Sequence, residues 1–393
     1  MIIFGNRAHY SAIGGVENSI RSMLSVVSEQ KHKAIMVCRE PLIDEPLDSA
    51  CLDLPVGVEL ATYRDEYDYN PLRRLLSLHV GGEALPNVYR TLFAKYPDST
   101  LIVRHHMHVL AANRAGFTDI RYLVPSLTVN QLREDLPGAT IFKKLSTIIH
   151  IIVDGWLQSR ALARAKLFVF SISMQDQVRQ RLVRQSRNNL IRLVKPGVDS
   201  SRFMPANAAE KRHFRAKLGL PLEQKLFLFV GRFVQAKGLD YVLGALASLP
   251  PDCSIVLVGA GECESTLRDR IKSLDLGGRA LLVGRTSQVE HFYRACDAFV
   301  MSSTYEPFGQ TILEAAACGM RIAAYGPDSG VVTATHELGL DGVIHYANEL
   351  NVESLAQSMS EAMEQGLWED SCHKRKHLSH LFSWSTLLDK LAE

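Results

Sequence analysis

Several features that would assign a class at once are missing from this chain. No stretch approaches the roughly 18 consecutive apolar residues that a bilayer-spanning helix needs. The opening residues, MIIFGNRAHYS, lack the basic flank and long apolar core of a secretory leader. Seven cysteines (38, 51, 253, 263, 296, 318 and 372) are scattered and odd in number, with no CxxC pair. That spacing excludes a disulfide framework and gives no zinc signature; with Cys38 inside the apolar AIMVC, the cysteines read as reduced, mostly buried and cytosolic. Neither an internal repeat nor a low-complexity tract stands out. Charge of one sign is also lacking, because 44 Lys and Arg nearly balance 42 Asp and Glu. The chain as a whole is therefore not a polyelectrolyte binder.

What is present is 393 residues that are 47% hydrophobic, enough for two domains with their own cores. Short apolar runs recur: IMVC (35–38), LIV (101–103), YLV (122–124), LFVF (167–170), LFLFV (226–230), IVLV (255–258), ALLV (280–283) and AFVM (298–301). They are continuous rather than alternating, as expected for parallel strands buried on both faces. Amphipathic helical patterns lie between them. One follows Gly15, with Val16, Ile20, Met23, Leu24 and Val27 at helical spacing, and another runs from about Asp240 to Leu249. This alternation predicts an α/β fold with mostly parallel sheets. The Pro-, Gly- and Ser-rich KPGVDSSRFMP (195–205) marks the boundary between two such series.

Charge is unevenly placed. Residues 143–195 carry eleven Lys and Arg against Asp154 and Asp176, a net +9, which leaves the rest at −7. This is either a solvated helix face or a surface for an anionic membrane leaflet or phosphate-bearing acceptor. Nucleic acid is disfavoured, because few aromatics are interleaved for base stacking.

Ligands of open α/β sheets bind beyond the carboxyl ends of the strands, and four such places stand out. In FVGRFVQAKG (229–238), Arg232 and Lys237 follow a strand and can converge on one polyanion, unless both are simply solvated. In TYEPFGQTILEAAACG (304–319), Glu306 precedes a turn into a helix that carries Glu314. The N–H groups of Phe308, Gly309, Gln310 and Thr311 would face an anion, and the two carboxylates could accept from hydroxyls. The alternative is a helix with surface glutamates. In AIGGVENSI (12–20), Gly14 and Gly15 open the first helix, either for a ligand or as a tight turn with Glu17 offsetting the helix dipole. In LIVRHHMHVL (101–110), His106 and His108 would share a face if the strand continued. One histidine facing a ligand is favoured over a metal site, since nothing nearby has metal spacing. VLVGAGECES (255–264) imitates a dinucleotide loop, but Glu262 and Glu264 put negative charge where a pyrophosphate should sit.

Taken together, the motifs resemble the retaining group 1 enzymes of glycosyltransferase family 4. GGVE (14–17), PGVD with Phe203, GRFVQAKG, RACDAFVMSSTYEPFGQTILEAAACGMRIAA, NVESLAQSM and FSWSTLLDKL carry the resemblance, in the family's order. It is nearly continuous through the C-terminal half. In the N-terminal half it is limited to the glycine loop and the surroundings of the histidines.

The resemblance implies a GT-B fold, two Rossmann-like domains with parallel sheets facing across a cleft: an acceptor domain at 1–197, a nucleotide-sugar domain at 198–373 and a helix at 374–393 returning to the first. It implies that Arg232 and Lys237 bind the donor diphosphate, Glu306 the donor sugar and Glu314 the ribose. Backbone at Phe308, Gly309 and Gln310 would hold sugar and phosphate, and the Gly14–Gly15 loop would close over the phosphates. His106, with His105 as competitor, matches the histidine near the transferred sugar. The implied activity is metal-independent, cofactor-free sugar transfer from a nucleotide-diphosphate sugar to a hydroxyl acceptor with retention of configuration. A lipid-linked acceptor and bacterial surface polysaccharide or glycoconjugate synthesis, at the cytoplasmic face of the inner membrane, fit the family and the basic segment. The chain departs from the family at Pro307, at Ser302-Ser303 and in SGVVTATHE, where the usual GGxPE is absent. A catalytically silent subunit that scaffolds a partner and an epimerase-like GT-B enzyme remain the other readings.

Overall fold

The computed structural model describes residues 1–12, 14–41, 53–64, 83–127, 141–183, 190–364 and 378–393, without the side chains of 141–147 and 150. The chain divides into two compact units: Met1–Gly197 with Trp384–Glu393, and Val198–Ser383. Of the segment 374–393 expected to return to the first domain, residues 384–393 group with the first unit and 378–383 with the second.

The first unit holds β1 (Ile2–Gly5), β2 (Ala34–Arg39), β3 (Val58–Tyr63), β4 (Thr100–Val103), β5 (Ile120–Leu123), β6 (Lys166–Val169) and β7 (Ile191–Leu193). They form one sheet in the order β3-β2-β1-β4-β5-β6-β7, and every pair is parallel. The helices described here are α1 (Gly15–Glu29), α2 (Ala84–Lys95), α3 (His106–Ala115), α4 (Ile141–Leu162) and α5 (Ile172–Val183). Helix α1 buries Ile20, Met23, Leu24 and Val27 against Phe4, Met36 and Ile102. The same cluster takes in Trp384, Leu387, Leu388 and Leu391 from the terminal helix Trp384–Ala392. Gly197 is required there: a Cβ would lie 2.3 Å from the Trp384 indole.

The second unit repeats the pattern. β8 (Lys225–Val230), β9 (Cys253–Val258), β10 (Ala280–Val283), β11 (Ala298–Met301), β13 (Arg321–Tyr325) and β15 (Ile344–Ala347) lie in the order β10-β9-β8-β11-β13-β15, all parallel. Two-residue strands β12 (Tyr305–Glu306) and β14 (Val332–Thr333) pair beside it. Every residue of β9 is buried, which is why the central strands read as unbroken apolar runs. In both units the strand order reverses once, between β1 and β4 and between β8 and β11. Crossovers leave the sheet there on opposite faces, opening a crevice at the strand ends.

Candidate functional site

At the second unit's reversal, Arg232 follows β8 by two residues. It is exposed, and among the described residues no side-chain partner holds its guanidinium. A turn of 3-10 helix, Gln235–Lys237, comes next, then Gly238 at φ 61. A Cβ at 238 would stand 2.2 Å from the Ser302 carbonyl oxygen, so only glycine lets this loop reach the end of β11. Two hydrogen bonds close the join: Ser302 Oγ donates to the Lys237 carbonyl at 2.7 Å and the Thr304 N–H to the Ala236 carbonyl at 2.9 Å.

The join delivers Lys237 to Glu306. Nζ lies 2.6 Å from Oε2, with the two side chains only 20% and 13% exposed, and also reaches Ser303 Oγ at 3.3 Å. Glu306 Oε1 accepts the Gly309 N–H at 3.0 Å. Gly309 itself sits at φ 86 and opens α10 (Gln310–Ala317). This corrects one expectation. Of the four N–H groups at 308–311 expected to face an incoming anion, that of Gly309 is engaged by the protein's own carboxylate. Glu306 is further fixed by pairing with Thr333, and its carbonyl accepts the Ala334 N–H at 3.1 Å. The departure SGVVTATHE thus supplies the strand that flanks this glutamate.

Glu314 does not present itself as an open hydroxyl acceptor. It is 8% exposed, and the Tyr293 hydroxyl donates to its Oε2 at 2.8 Å. Burial pushes its carboxyl up to about 7, while the Tyr293 hydrogen bond and the Arg202 charge pull the other way. Phe308 is buried at 9%, and Gln310 is the first residue of α10. Gly259 and Gly261, set aside as a phosphate loop, have a packing reason. Cβ atoms there would meet the Gly231 and Phe233 carbonyl oxygens at 1.9 and 2.2 Å, so the loop lies directly on the exit of β8.

At the first unit's reversal, Gly14 is extended, at φ 179, and Gly15 begins α1. Residue 13 lies outside the described residues. Glu17 turns over this first helical turn: Asn6 Nδ2 donates to its Oε1 at 3.0 Å, and a Cβ on Gly14 would meet its Oε2 at 2.2 Å. Arg104, directly after β4, was not singled out from the sequence. It is 4% exposed, donates to Ser19 Oγ at 2.8 Å and lies over the Phe170 ring at 5.3 Å. Burial pulls its guanidinium down to about 10.

The histidines differ from the expected strand. A helix starts at His106, so His106 and His108 do not share a strand face. His105 caps that helix, its Nδ1 accepting the Met107 N–H at 3.2 Å, and stacks on His106 with centroids 4.3 Å apart. His106 is 5% exposed. His108 is fully buried between the Tyr89 hydroxyl at Nδ1 (2.8 Å) and the Tyr63 hydroxyl at Nε2 (3.2 Å). Burial pushes its pKa down to about 3, so it stays neutral. Among the described residues, no group of three His, Cys, Asp or Glu is placed to hold a metal ion.

Cys38, Cys253, Cys296 and Cys318 are buried, Cys263 is partly so, and none of the five is in a disulfide; burial pushes the Cys38 thiol up to about 11. Cys51 and Cys372 lie outside the described residues, as do Arg184 and Arg187 and the side chains of Lys143 and Lys144 in the basic segment.

The profile of "Glycosyl transferases group 1" matches residues 210–379. Mannosylfructose-phosphate synthase of Agrobacterium fabrum is 36% identical over 142 residues, covering 33% of this chain and 31% of that protein. The lipopolysaccharide core biosynthesis mannosyltransferase LpsB of Rhizobium meliloti is 35% identical over 155 residues, 37% of this chain and 44% of its own length. The chain thus spans less than half the length of these curated relatives. The crystal structure of HepE from Anabaena with UDP and glucose superposes with a TM-score of 0.70 at 17% identity, covering 100% of this chain and 98% of that one. Residues 210–379 thus match the glycosyl transferases of group 1, and the two parallel-sheet units have the GT-B fold.

Proposed function

We propose that the chain moves a sugar from a nucleotide-diphosphate sugar to a hydroxyl acceptor, with retention of configuration and without a metal or other cofactor. The observation that carries this is the Lys237–Glu306–Gly309 cluster, in which a carboxylate lies between an ammonium and the N-terminus of α10. A site that already seats one anion on a cation and a helix start is suited to a diphosphate. Arg232, exposed after β8 and five residues before Lys237, would add a planar fork for two phosphate oxygens. With the diphosphate on Lys237 and Arg232, Glu306 is released to accept from sugar hydroxyls.

In transfer, the bond from the anomeric carbon to the diphosphate oxygen breaks and a bond to the acceptor oxygen forms on the same face. The acceptor proton goes to the departing phosphate. Negative charge grows on the leaving group, where Lys237 and the helix start are fixed in advance and Arg232 can close from solvent. His106 is placed by this reading near the transferred sugar, Gly14 and Gly15 near the phosphates, and Glu314 at the ribose. LpsB is named for lipopolysaccharide core synthesis, which supports a bacterial glycoconjugate, lipid-linked or free, as acceptor.

The test is calorimetric binding of UDP, GDP, ADP, dTDP and CMP to the wild type and to Arg232→Ala and Lys237→Ala. A hydrogen bond to a charged group contributes about 1.5–3 kcal/mol, so each variant should lose at least about tenfold in affinity for the cognate diphosphate. Wild-type affinity in either variant removes the diphosphate assignment. Binding of none of the five by the wild type favours a silent scaffold subunit.

A further inference from the structure

Helix α4 is more apolar than its packing requires. Val153, Leu157 and Ala161, spaced by four, are buried at 7%, 1% and 0%. A second stripe at the same spacing, Ile148, Ile152 and Trp156, is left 44%, 64% and 41% exposed. It ends on a cation, with the Arg160 guanidinium stacked 4.6 Å above the Trp156 ring. In the sequence the same spacing reaches Lys144 at the other end. The helix carries one acid, Asp154, and that residue is buried at 9%. An apolar stripe bounded by basic positions, in a segment of net +9, matches anionic headgroups above an acyl boundary. A tryptophan beside a cation suits the level between them. No described helix is long and apolar enough to cross a membrane, so this one would lie along the surface.

We propose that the Ile148–Ile152–Trp156 face of α4, with Arg160, seats the first unit on an anionic lipid surface. The proposal is independent of the donor-site reading. Stripe and charge act together: the apolar residues enter the interface, and the basic ones make the attachment sensitive to salt.

The test is co-sedimentation of the full chain with phosphatidylglycerol and with phosphatidylcholine vesicles, at low and high salt. The wild type should pellet with the anionic vesicles at low salt and be released by high salt. The triple variant Ile148→Ser, Ile152→Ser, Trp156→Ser should lose at least about tenfold in partitioning, and Arg160→Gln should lose less. Ile152→Ser alone, at the most exposed position, should give a partial loss and guards against a folding defect, which circular dichroism checks. Equal pelleting with both lipids, no pelleting of the wild type, or unchanged pelleting of a folded triple variant overturns the proposal. So does a face that serves only self-association, seen as a vesicle-independent dimer that the triple variant abolishes while the wild type ignores lipid.

Discussion

Both units put a glutamate beside a glycine turn where their strand order reverses, and they hold it differently. In the first unit Glu17 folds over its own helix start and is steadied by a neutral amide, Asn6. In the second, Glu306 stands before its helix and is gripped by Lys237. A carboxylate steadied by a neutral amide keeps its charge at the helix start and repels phosphate, although the field of the buried Arg104 offsets part of it. One neutralised by a lysine can be exchanged for another anion at little electrostatic cost. The same sheet topology therefore yields one reversal suited to receiving a diphosphate and one that is not, until Glu17 moves.

Four tests, using five substitutions, break or sharpen this contrast. The largest effect should come from Glu306→Ala, with transfer lowered at least about hundredfold, as when a preorganised polar contact to the reacting centre is removed. Nucleoside diphosphate affinity should change little. A radiolabelled-donor assay beside calorimetry reads both, and full activity would make Glu306 no more functional than Glu17. Next come the glycines. Gly238→Ala forces a left-handed backbone and a backbone clash and should cost about 2 kcal/mol or more in urea unfolding. Gly14→Ala, extended and facing only the flexible end of Glu17, should be nearly neutral. Equal costs would mean that the Gly238 contact is not needed.

The third test is pH. Glu314 is held at about 7 when folded against 4.5 ordinarily, so between those values the folded chain keeps a proton that the unfolded chain has released. Stability should therefore fall as pH rises through that window, by on the order of 1–2 kcal/mol between pH 5 and 7. Glu314→Gln should flatten the slope. An unaltered slope in the variant would assign it to other groups. The smallest effect is expected at Glu17→Ala, with diphosphate affinity shifted less than about threefold. A larger gain would mean that Glu17 holds the phosphates off the Gly14–Gly15 helix start.

Most of the central strands were legible because parallel strands covered on both faces are apolar throughout, although the interior β13 was not among the runs read from the sequence. β3 and β15 escaped for the complementary reason. They lie at sheet edges, and VELATY mixes buried with exposed positions and IHYA buried with half-exposed ones, so no continuous run marks them. The residue types around Glu306 could be read from the sequence, but their pairing could not. Lys237 and Glu306 are 69 residues apart and are brought together by the Gly238 contact with Ser302, which has no sequence signature of its own. The partners of Glu314 and His108 were hidden in the same way: Tyr293, Tyr63 and Tyr89 belong to other elements, and the network exists only once those elements pack. The expected continuation of the strand through His106 and His108 failed because the chain turns into a helix capped by His105.

The terminal helix has a consequence for synthesis. Trp384, Leu387, Leu388 and Leu391 cover the Ile20, Met23 and Leu24 face of α1, and Gly197 leaves room for the Trp384 ring. The first unit is therefore begun first and finished last, while the second, Val198–Ser383, is encoded without interruption in between. At the usual roughly 5–20 residues per second, a nascent chain waits on the order of ten to forty seconds with that apolar face uncovered. During that interval a chaperone, or a neighbouring nascent chain, competes for the place that residues 384–391 will take.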